Sequence, residues 1–292
     1  MEVFYDFFIQ MNNINKINVI KDSLWEPYFE IPGKVLLYKM DCTLWMKKMP
    51  AWIVDTTITS PPYNIGKEYE EKIDLEEYLN WTIDYIDLIY NVTKDNWNFM
   101  FNVWFLEAPE KWLCVPIPYL MWDKTKFYMI QEIIWNYWAG VACKNRLSPR
   151  NEKIIWYTKN QNDYTFNLDP IRDPNVKYPN QKKNWKLRCN QLWKNPSDVR
   201  QIAKVTSWKN RSSKERAPHP AQFPMELIDR LVKWFSNVWD LILDPFIGSC
   251  TTAEVAINND RLVVWFELLD NYLEYWKYRI LKAIQDKQSK LF

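Results

Sequence analysis

The run Thr59-Ser60-Pro61-Pro62-Tyr63 puts a hydroxyl, two φ-locked prolines and an aromatic ring within five residues. It follows Ile53-Val54-Asp55-Thr56-Thr57-Ile58, a β-branched and nearly apolar stretch that reads as a buried strand. The motif therefore sits at the carboxyl end of a strand, the edge of an open α/β sheet where ligands bind. A second run, Asp244-Pro245-Phe246-Ile247-Gly248-Ser249-Cys250-Thr251-Thr252, follows Leu241-Ile242-Leu243 and opens a predicted helix, Thr251 to Asn258. Free backbone N–H groups at that turn could face a bound ligand. Glu267 lies 23 residues after Asp244, close to the roughly 20-residue spacing at which an acid reaches ribose hydroxyls in βαβ folds.

Further strands are predicted over residues 34–41, ending in Asp41, and over 97–103, 130–137, 154–157 and 262–266. Helical spacing marks Asp74 to Tyr90, and apolar residues at 225, 227, 228, 231, 232 and 235 form a clear helical stripe. Between about 160 and 216 this periodicity fades into Asn, Pro, Lys and Arg. The fold class that follows is α/β, a Rossmann-like and mostly parallel sheet with an inserted lobe. We divide the chain into an N-terminal extension (1–33), a half carrying the serine turn (34–139), a basic lobe (140–216) and a half carrying the Asp244 turn (217–292).

Composition excludes several classes. The 292 residues are 48% hydrophobic and 25% charged, ordinary for a folded globular protein. Five scattered cysteines without a Cys-x-x-Cys pair and one histidine, His219, make neither a zinc site nor a disulfide framework, so no metal is expected. The same counts disfavour a Ser-His-Asp hydrolase. Neither a spanning apolar run nor a secretory leader is legible, and a cytoplasmic location is expected.

Charge is distributed unevenly. Residues 141–216 hold 18 Lys and Arg against 6 Asp and Glu, a net +12, leaving 20 against 30 and a net −10 elsewhere. The basic segment is interleaved with Asn, Gln, Ser, Thr and Tyr, as in Asn180-Gln181-Lys182-Lys183-Asn184 and Asn210-Arg211-Ser212-Ser213-Lys214. Those side chains read phosphates and base edges, so the lobe is expected to meet a nucleic acid. The basic candidates are Lys182, Lys183, Lys186, Arg188, Lys209, Arg211, Lys214 and Arg216.

Taken in this order, the two runs resemble the catalytic and cofactor motifs of the beta class of DNA amino-methyltransferases. The resemblance spans residues 34–283. It implies S-adenosylmethionine as cofactor, double-stranded DNA as substrate, and a target base flipped into the site. Ser60 and the Pro61 carbonyl would bond the exocyclic amine, Pro62 would keep the turn rigid, and Tyr63 would stack on the base. Asp244, Pro245, Phe246, Gly248, Ser249 and Thr251 would line the methionine side of the cofactor and Glu267 would take its ribose. Asp41 would touch the adenine region, and the His219-Pro220-Ala221-Gln222-Phe223-Pro224 segment would close the pocket.

Serine at position 60 is typical of family members that make N4-methylcytosine, although some adenine enzymes also carry it. Cytosine N4 is therefore the expected target and adenine N6 the alternative. A non-catalytic DNA-binding relative with an impaired cofactor pocket is a rival from another class, and an RNA methyltransferase ranks lower. The resemblance also suggests a cognate restriction endonuclease as genetic partner, with the chain a monomer or a homodimer.

One departure stands out. Glycine averages about 7% of proteins, yet this chain has 4 glycines and 18 tryptophans. Trp104, Trp138, Trp185, Trp193, Trp208, Trp239 and Trp265 fall where the family prefers glycine, whereas Trp25, Trp81, Trp122, Trp135 and Trp156 suit aromatic packing. A UGA codon that means glycine in the source organism, translated as tryptophan, would account for the pattern. Cys250, where the family has glycine, is a separate departure that bears on the cofactor pocket.

Overall fold

The computed structural model describes residues 15–108, 112–138, 140, 142–206 and 215–289. A helix over residues 15–23 (α1) leads to β1 (Phe29–Ile31), β2 (Val35–Lys39), the short helix α2 (Cys42–Met46), β3 (Val54–Thr59), α3 (Leu75–Val92) and β4 (Thr93–Val103). The chain continues through β5 (Phe105–Ala108), β6 (Trp112–Pro116), β7 (Tyr128–Asn136), β8 (Asn151–Thr158), β9 (Lys182–Lys183), β10 (Lys186–Leu187) and β11 (Val199–Gln201). It closes with α4 (Met225–Phe235), β12 (Leu241–Asp244), α5 (Thr251–Asn258), β13 (Leu262–Glu267) and α6 (Asp270–Ser289).

Nine strands form one sheet in the order β1-β2-β13-β12-β3-β4-β8-β7-β11. The strands from β2 through β4 run parallel, whereas β8 is antiparallel to both β4 and β7. Every residue of β3 is buried, as expected for an interior parallel strand covered on both faces. In β2, alternate residues serve opposite faces: Leu36 and Tyr38 pack with Tyr85, Ile89 and Phe99, while Val35 and Leu37 pack with Leu231, Val232 and Ala253. Helix α3 covers the first face and α4 and α5 the second. Asp74 caps α3 by accepting from the Glu76 N–H at 2.8 Å, with Glu76 and Glu77 complementing the helix dipole.

The crossover β3-α3-β4 runs toward one side of the sheet and β12-α5-β13 toward the other. The switch point falls between β12 and β3, where open α/β sheets bind ligands. Because β8 is antiparallel, its first residues lie at this same ligand-bearing edge. So do the residues that follow β7 and β11.

The structure redraws two of the expected divisions. Residues 15–33 are not peripheral: Ile17, Ile20 and Leu24 of the N-terminal segment are buried in the core, and β1 pairs with β2. The basic span 140–216 likewise contributes β8 and β11 to the central sheet. Within that span the β9/β10 hairpin exposes Lys182, Lys183 and Lys186.

That hairpin turns on Asn184 (φ 50°) and Trp185 (φ 64°). Two consecutive left-handed residues between antiparallel strands define a type I′ turn, for which Asn-Gly is the strongest preference. Trp185, 94% exposed, holds the glycine position. Trp193 (φ 78°) and Trp239 (φ 68°) are also left-handed, as is Trp52 (φ 56°), which composition alone did not single out.

Trp104, Trp138 and Trp265 are not left-handed. Trp265 lies within β13, fully buried, its indole N–H without a partner. Trp208 is outside the described residues. Of the tryptophans expected to pack, Trp122 is 77% exposed, whereas the indole N–H of Trp135 donates to the Ile202 carbonyl and that of Trp156 to Asn98 Oδ1.

A left-handed non-glycine residue costs about 1–2 kcal/mol, partly offset by the roughly 0.5–1 kcal/mol of backbone entropy that glycine loses on folding. Combined Trp52→Gly, Trp185→Gly, Trp193→Gly and Trp239→Gly substitution is therefore expected to raise the melting temperature; a lower one would contradict the assignment. The coding DNA gives a second check, with UGA expected at these four codons and UGG contradicting the recoding account.

Candidate active site

The carboxyl ends of β2, β3, β12 and β13 open on a cavity of about 600 Å³. Ser60, Pro61, Pro62, Tyr63, Asp41, His219, Asp244, Pro245, Phe246, Gly248, Ser249 and Glu267 all line it. The two motifs, far apart in the chain, are thus walls of one chamber. Direct bonds join them: the Thr59 hydroxyl donates to Asp244 Oδ1 at 2.7 Å across neighbouring strands, and Phe246 N–H donates to the same oxygen at 3.2 Å.

Two expected cofactor residues are placed differently. Thr251 is buried, its hydroxyl donating to the Phe223 carbonyl, and it is not part of the cavity wall. Asp41 is not the end of a strand, because β2 stops at Lys39. Its carboxylate caps α2, accepting from Thr43 N–H at 2.7 Å and from the Thr43 hydroxyl, while the residue still borders the cavity.

Cys250 is left-handed (φ 63°) and fully buried among core residues rather than in the wall, so its side chain does not obstruct the chamber. Its neighbour Gly248 (φ +49°) cannot be replaced so freely. A Cβ there would lie 3.0 Å from the His219 ring.

His219 is clamped between Tyr69 and Tyr272, with ring centroids at 5.5 and 5.0 Å, and its Nδ1 lies 2.6 Å from the Ala221 carbonyl oxygen. Burial lowers its pKa, which favours the neutral ring packed above the Asp244 turn. Arg279 of α6, invisible as a site residue in the sequence, ties the turn from below through the Ser249 carbonyl and Glu254.

The wall is acidic where a cation would lie. Burial pushes the Asp244 carboxyl up to about 6 and the Glu267 carboxyl up to about 7. Glu267 Oε1 accepts from the N–H groups of Leu268 and Leu269, which fixes the carboxylate at the strand end. S-adenosylmethionine carries a sulfonium and an ammonium, and a chamber of this size lined by the buried Asp244 and the half-buried Glu267 carboxylates fits it. Raised folded-state values mean that these two groups favour the fold below about pH 4 and progressively lose that contribution up to about pH 7. The ligand-free chain is therefore expected to melt at lower temperature at pH 8 than at pH 5.5, with the increment from added S-adenosylmethionine larger at pH 8. A larger increment at pH 5.5 would contradict the acidic-wall account.

The serine turn is held from three sides. Ser60 Oγ lies 2.6 Å from the Tyr63 hydroxyl, and the Tyr78 hydroxyl donates to the Pro62 carbonyl at 2.8 Å. The Glu70 carboxylate accepts from the N–H groups of Asn64, Ile65 and Lys67, bracing the loop that follows. Residues absent from the sequence-based list complete the floor. Asn102 at the end of β4 donates to the Tyr63 hydroxyl (2.6 Å) and to Glu152 (2.8 Å) at the start of β8. Lys204, beyond β11, lies 3.6 Å from Glu152 and 3.7 Å from the Tyr137 ring centroid. Glu152, Lys204, Tyr137 and Trp104 all line the cavity.

Of the expected DNA contacts, Lys182, Lys183, Lys186 and Arg188 are exposed on or beside the β9/β10 hairpin and Arg216 is half-buried. Lys209, Arg211 and Lys214 lie outside the described residues. No described helix is long and apolar enough to cross a membrane, and no group of described residues could hold a metal ion.

A family model described as DNA methylase, for N6- and N4-directed methyltransferases, matches residues 54–278. The chain is 51% identical over 255 residues to the type II methyltransferase M.ScaI of Streptomyces caespitosus, covering 87% of this chain and 84% of that relative. Its fold is similar to that of the PvuII cytosine-N4-specific DNA methyltransferase, with a TM-score of 0.67 at 17% identity over 87% of this chain and 92% of the other. It is also similar to a putative DNA modification methylase of Thermus thermophilus complexed with S-adenosylmethionine, with a TM-score of 0.57 at 22% identity over 85% and 93% of the two chains. The matched span contains both the Ser60 turn and the Asp244 turn, and the chain belongs to the N6/N4 family of S-adenosylmethionine-dependent DNA methyltransferases.

Proposed function

We propose that the chain methylates the exocyclic N4 amine of a cytosine flipped out of duplex DNA, as the modification arm of a type II restriction–modification system. The observation that carries this reading is the placement of Ser60 in the same chamber as Asp244 and Glu267, its hydroxyl 2.6 Å from Tyr63. The similarity to M.ScaI supports the type II setting.

An exocyclic amine is a weak nucleophile because its lone pair is delocalised into the ring, so alignment and polarisation carry the rate. S-adenosylmethionine supplies an electrophilic methyl when bound. Ser60 Oγ and the Pro61 carbonyl orient the amine, and the Ser60 hydroxyl, able both to donate and to accept, suits the adjacent amine and ring-nitrogen pattern of cytosine. The Tyr63 hydroxyl is anchored to Ser60 and Asn102, which leaves only its ring for stacking. Pro62, pinned by Tyr78, keeps the turn from relaxing. The lysines of the β9/β10 hairpin meet phosphates, and Lys182→Ala with Lys183→Ala is expected to weaken DNA binding and reduce its salt slope by about 2. A salt titration that leaves the slope unchanged would remove that surface from the interface.

Nucleoside mass spectrometry of duplex DNA treated with the chain and S-adenosylmethionine tests the base assignment. N4-methylcytosine is expected. N6-methyladenine would preserve the family and replace the target.

A further inference from the structure

Amine methylation leaves one proton to be disposed of, and no group at the serine turn is itself a base. As the N–CH3 bond forms, the methyl–sulfur bond breaks with its electron pair on sulfur, and the amine nitrogen must release one proton. Serine and tyrosine hydroxyls can pass a proton but cannot hold it.

The hydroxyl of Ser60 lies 2.6 Å from that of Tyr63, which in turn reaches Glu152 Oε2 at 3.4 Å. Glu152 is 7% exposed and ends this chain of contacts. We propose, resting on the amine-methylation reading above, that Glu152 is the proton acceptor of the reaction, loaded through Tyr63 from Ser60. The amine proton moves to Ser60 Oγ, the Ser60 proton to the Tyr63 oxygen, and the Tyr63 proton to the Glu152 carboxylate. One carboxylate becomes one carboxylic acid, and both hydroxyls end neutral.

The surroundings suit that task. Burial raises the Glu152 pKa, with the nearby Lys204 ammonium, the Asn102 amide and Tyr63 opposing that rise, so the carboxylate is a better proton acceptor than a solvent-exposed one. Asn102 Nδ2 fixes Oε2 at 2.8 Å, beside the Tyr63 hydroxyl. The other ionisable groups whose charges bear on this cluster are Tyr137 beyond β7, Arg150 before β8, and Tyr69 and Lys67 of the loop after the serine turn. Glu152 touches neither the base nor the cofactor turn in this scheme and acts only through Tyr63 and Ser60.

The test is single-turnover methylation of a duplex by the full chain at saturating S-adenosylmethionine, from pH 5.5 to 9, alongside cofactor binding by calorimetry. The wild-type rate should rise with pH through one ionisation and level off. Glu152→Gln should bind cofactor within about twofold of wild type and lose roughly 100-fold or more of the plateau rate, with the pH dependence flattened. Glu152→Asp should recover part of the rate, and Tyr63→Phe should lose it as Glu152→Gln does.

Lys204→Met, by removing a charge that lowers the Glu152 pKa, should move the midpoint to higher pH. A Glu152→Gln chain within about threefold of wild type, or one with the wild-type pH profile, would overturn the proposal. So would a Lys204→Met midpoint unmoved or lowered. A wild-type chain that binds cofactor and methylates no base overturns the functional reading and this proposal together, whereas failure of the variants alone overturns only the relay.

Discussion

Ser60→Ala is expected to lower the single-turnover methylation rate about 10²- to 10³-fold, the usual consequence of removing one preorganised polar contact to a reacting group. Alanine fits the space that serine leaves. Tyr63 keeps its Asn102 partner at 2.6 Å, so the turn retains its shape. Cofactor affinity should stay within about twofold, because Ser60 contacts none of the buried acids. The loss therefore belongs to kcat rather than to binding. A Ser60→Ala chain with more than a tenth of the wild-type rate would mean that other groups hold the amine.

Asp244→Asn is expected to do the opposite, removing affinity with little effect on folding. Asn Oδ1 can still accept from the Thr59 hydroxyl and Phe246 N–H, the bonds that shape the turn. What disappears is a buried negative charge facing a cationic ligand. Hydrogen bonds to charged groups are worth about 1.5–3 kcal/mol, so cofactor affinity should fall roughly 10- to 150-fold. Because burial holds the Asp244 pKa up at about 6, its ionised form is a cost to the ligand-free fold above neutrality. The unliganded variant should thus melt no lower than wild type at pH 8, and calorimetry with thermal melting reads both quantities. Unchanged affinity would remove Asp244 from the cofactor contacts.

The difference between these variants follows from how the sheet assembles the site, and that assembly was partly legible in the sequence. Val54–Thr59 is a compact, largely β-branched strand and Leu241–Asp244 a compact apolar one, each followed by turn residues, so the placement of Ser60 and Asp244 at the ligand edge could be read from local pattern. Glu267 and the α5 turn followed for the same reason. Glu152, Lys204 and Tyr137 could not be read this way. They reach the site because β8 runs antiparallel to β4 and because β7 and β11 end at the same edge, and strand direction across a sheet is a long-range property.

Local context also misled in small ways. Asp41 reads as a strand-end acid but caps the next helix, and Thr251 reads as pocket-lining but turns into the core. Cys250 shares the left-handed backbone expected of glycine while its side chain faces away from the chamber. Arg279, twelve residues beyond Glu267, carried no local sign that it would brace the Ser249 carbonyl. At Trp52, Trp185, Trp193 and Trp239, as at Cys250, local sequence and backbone conflict, which is why those four tryptophans, rather than the buried Trp265, are the informative ones for the recoding account.

A working cofactor site beside the serine turn requires that the chamber between β12 and β3 take up S-adenosylmethionine. Titration calorimetry with S-adenosylmethionine reads that uptake, using the chain as written and a version with glycine restored at Trp52, Trp185, Trp193 and Trp239. Saturable binding of one S-adenosylmethionine per chain is expected, weakened by Asp244→Asn and unaffected by Ser60→Ala. A folded chain in either version that binds no cofactor would contradict it and leave a DNA-binding protein without transferase chemistry.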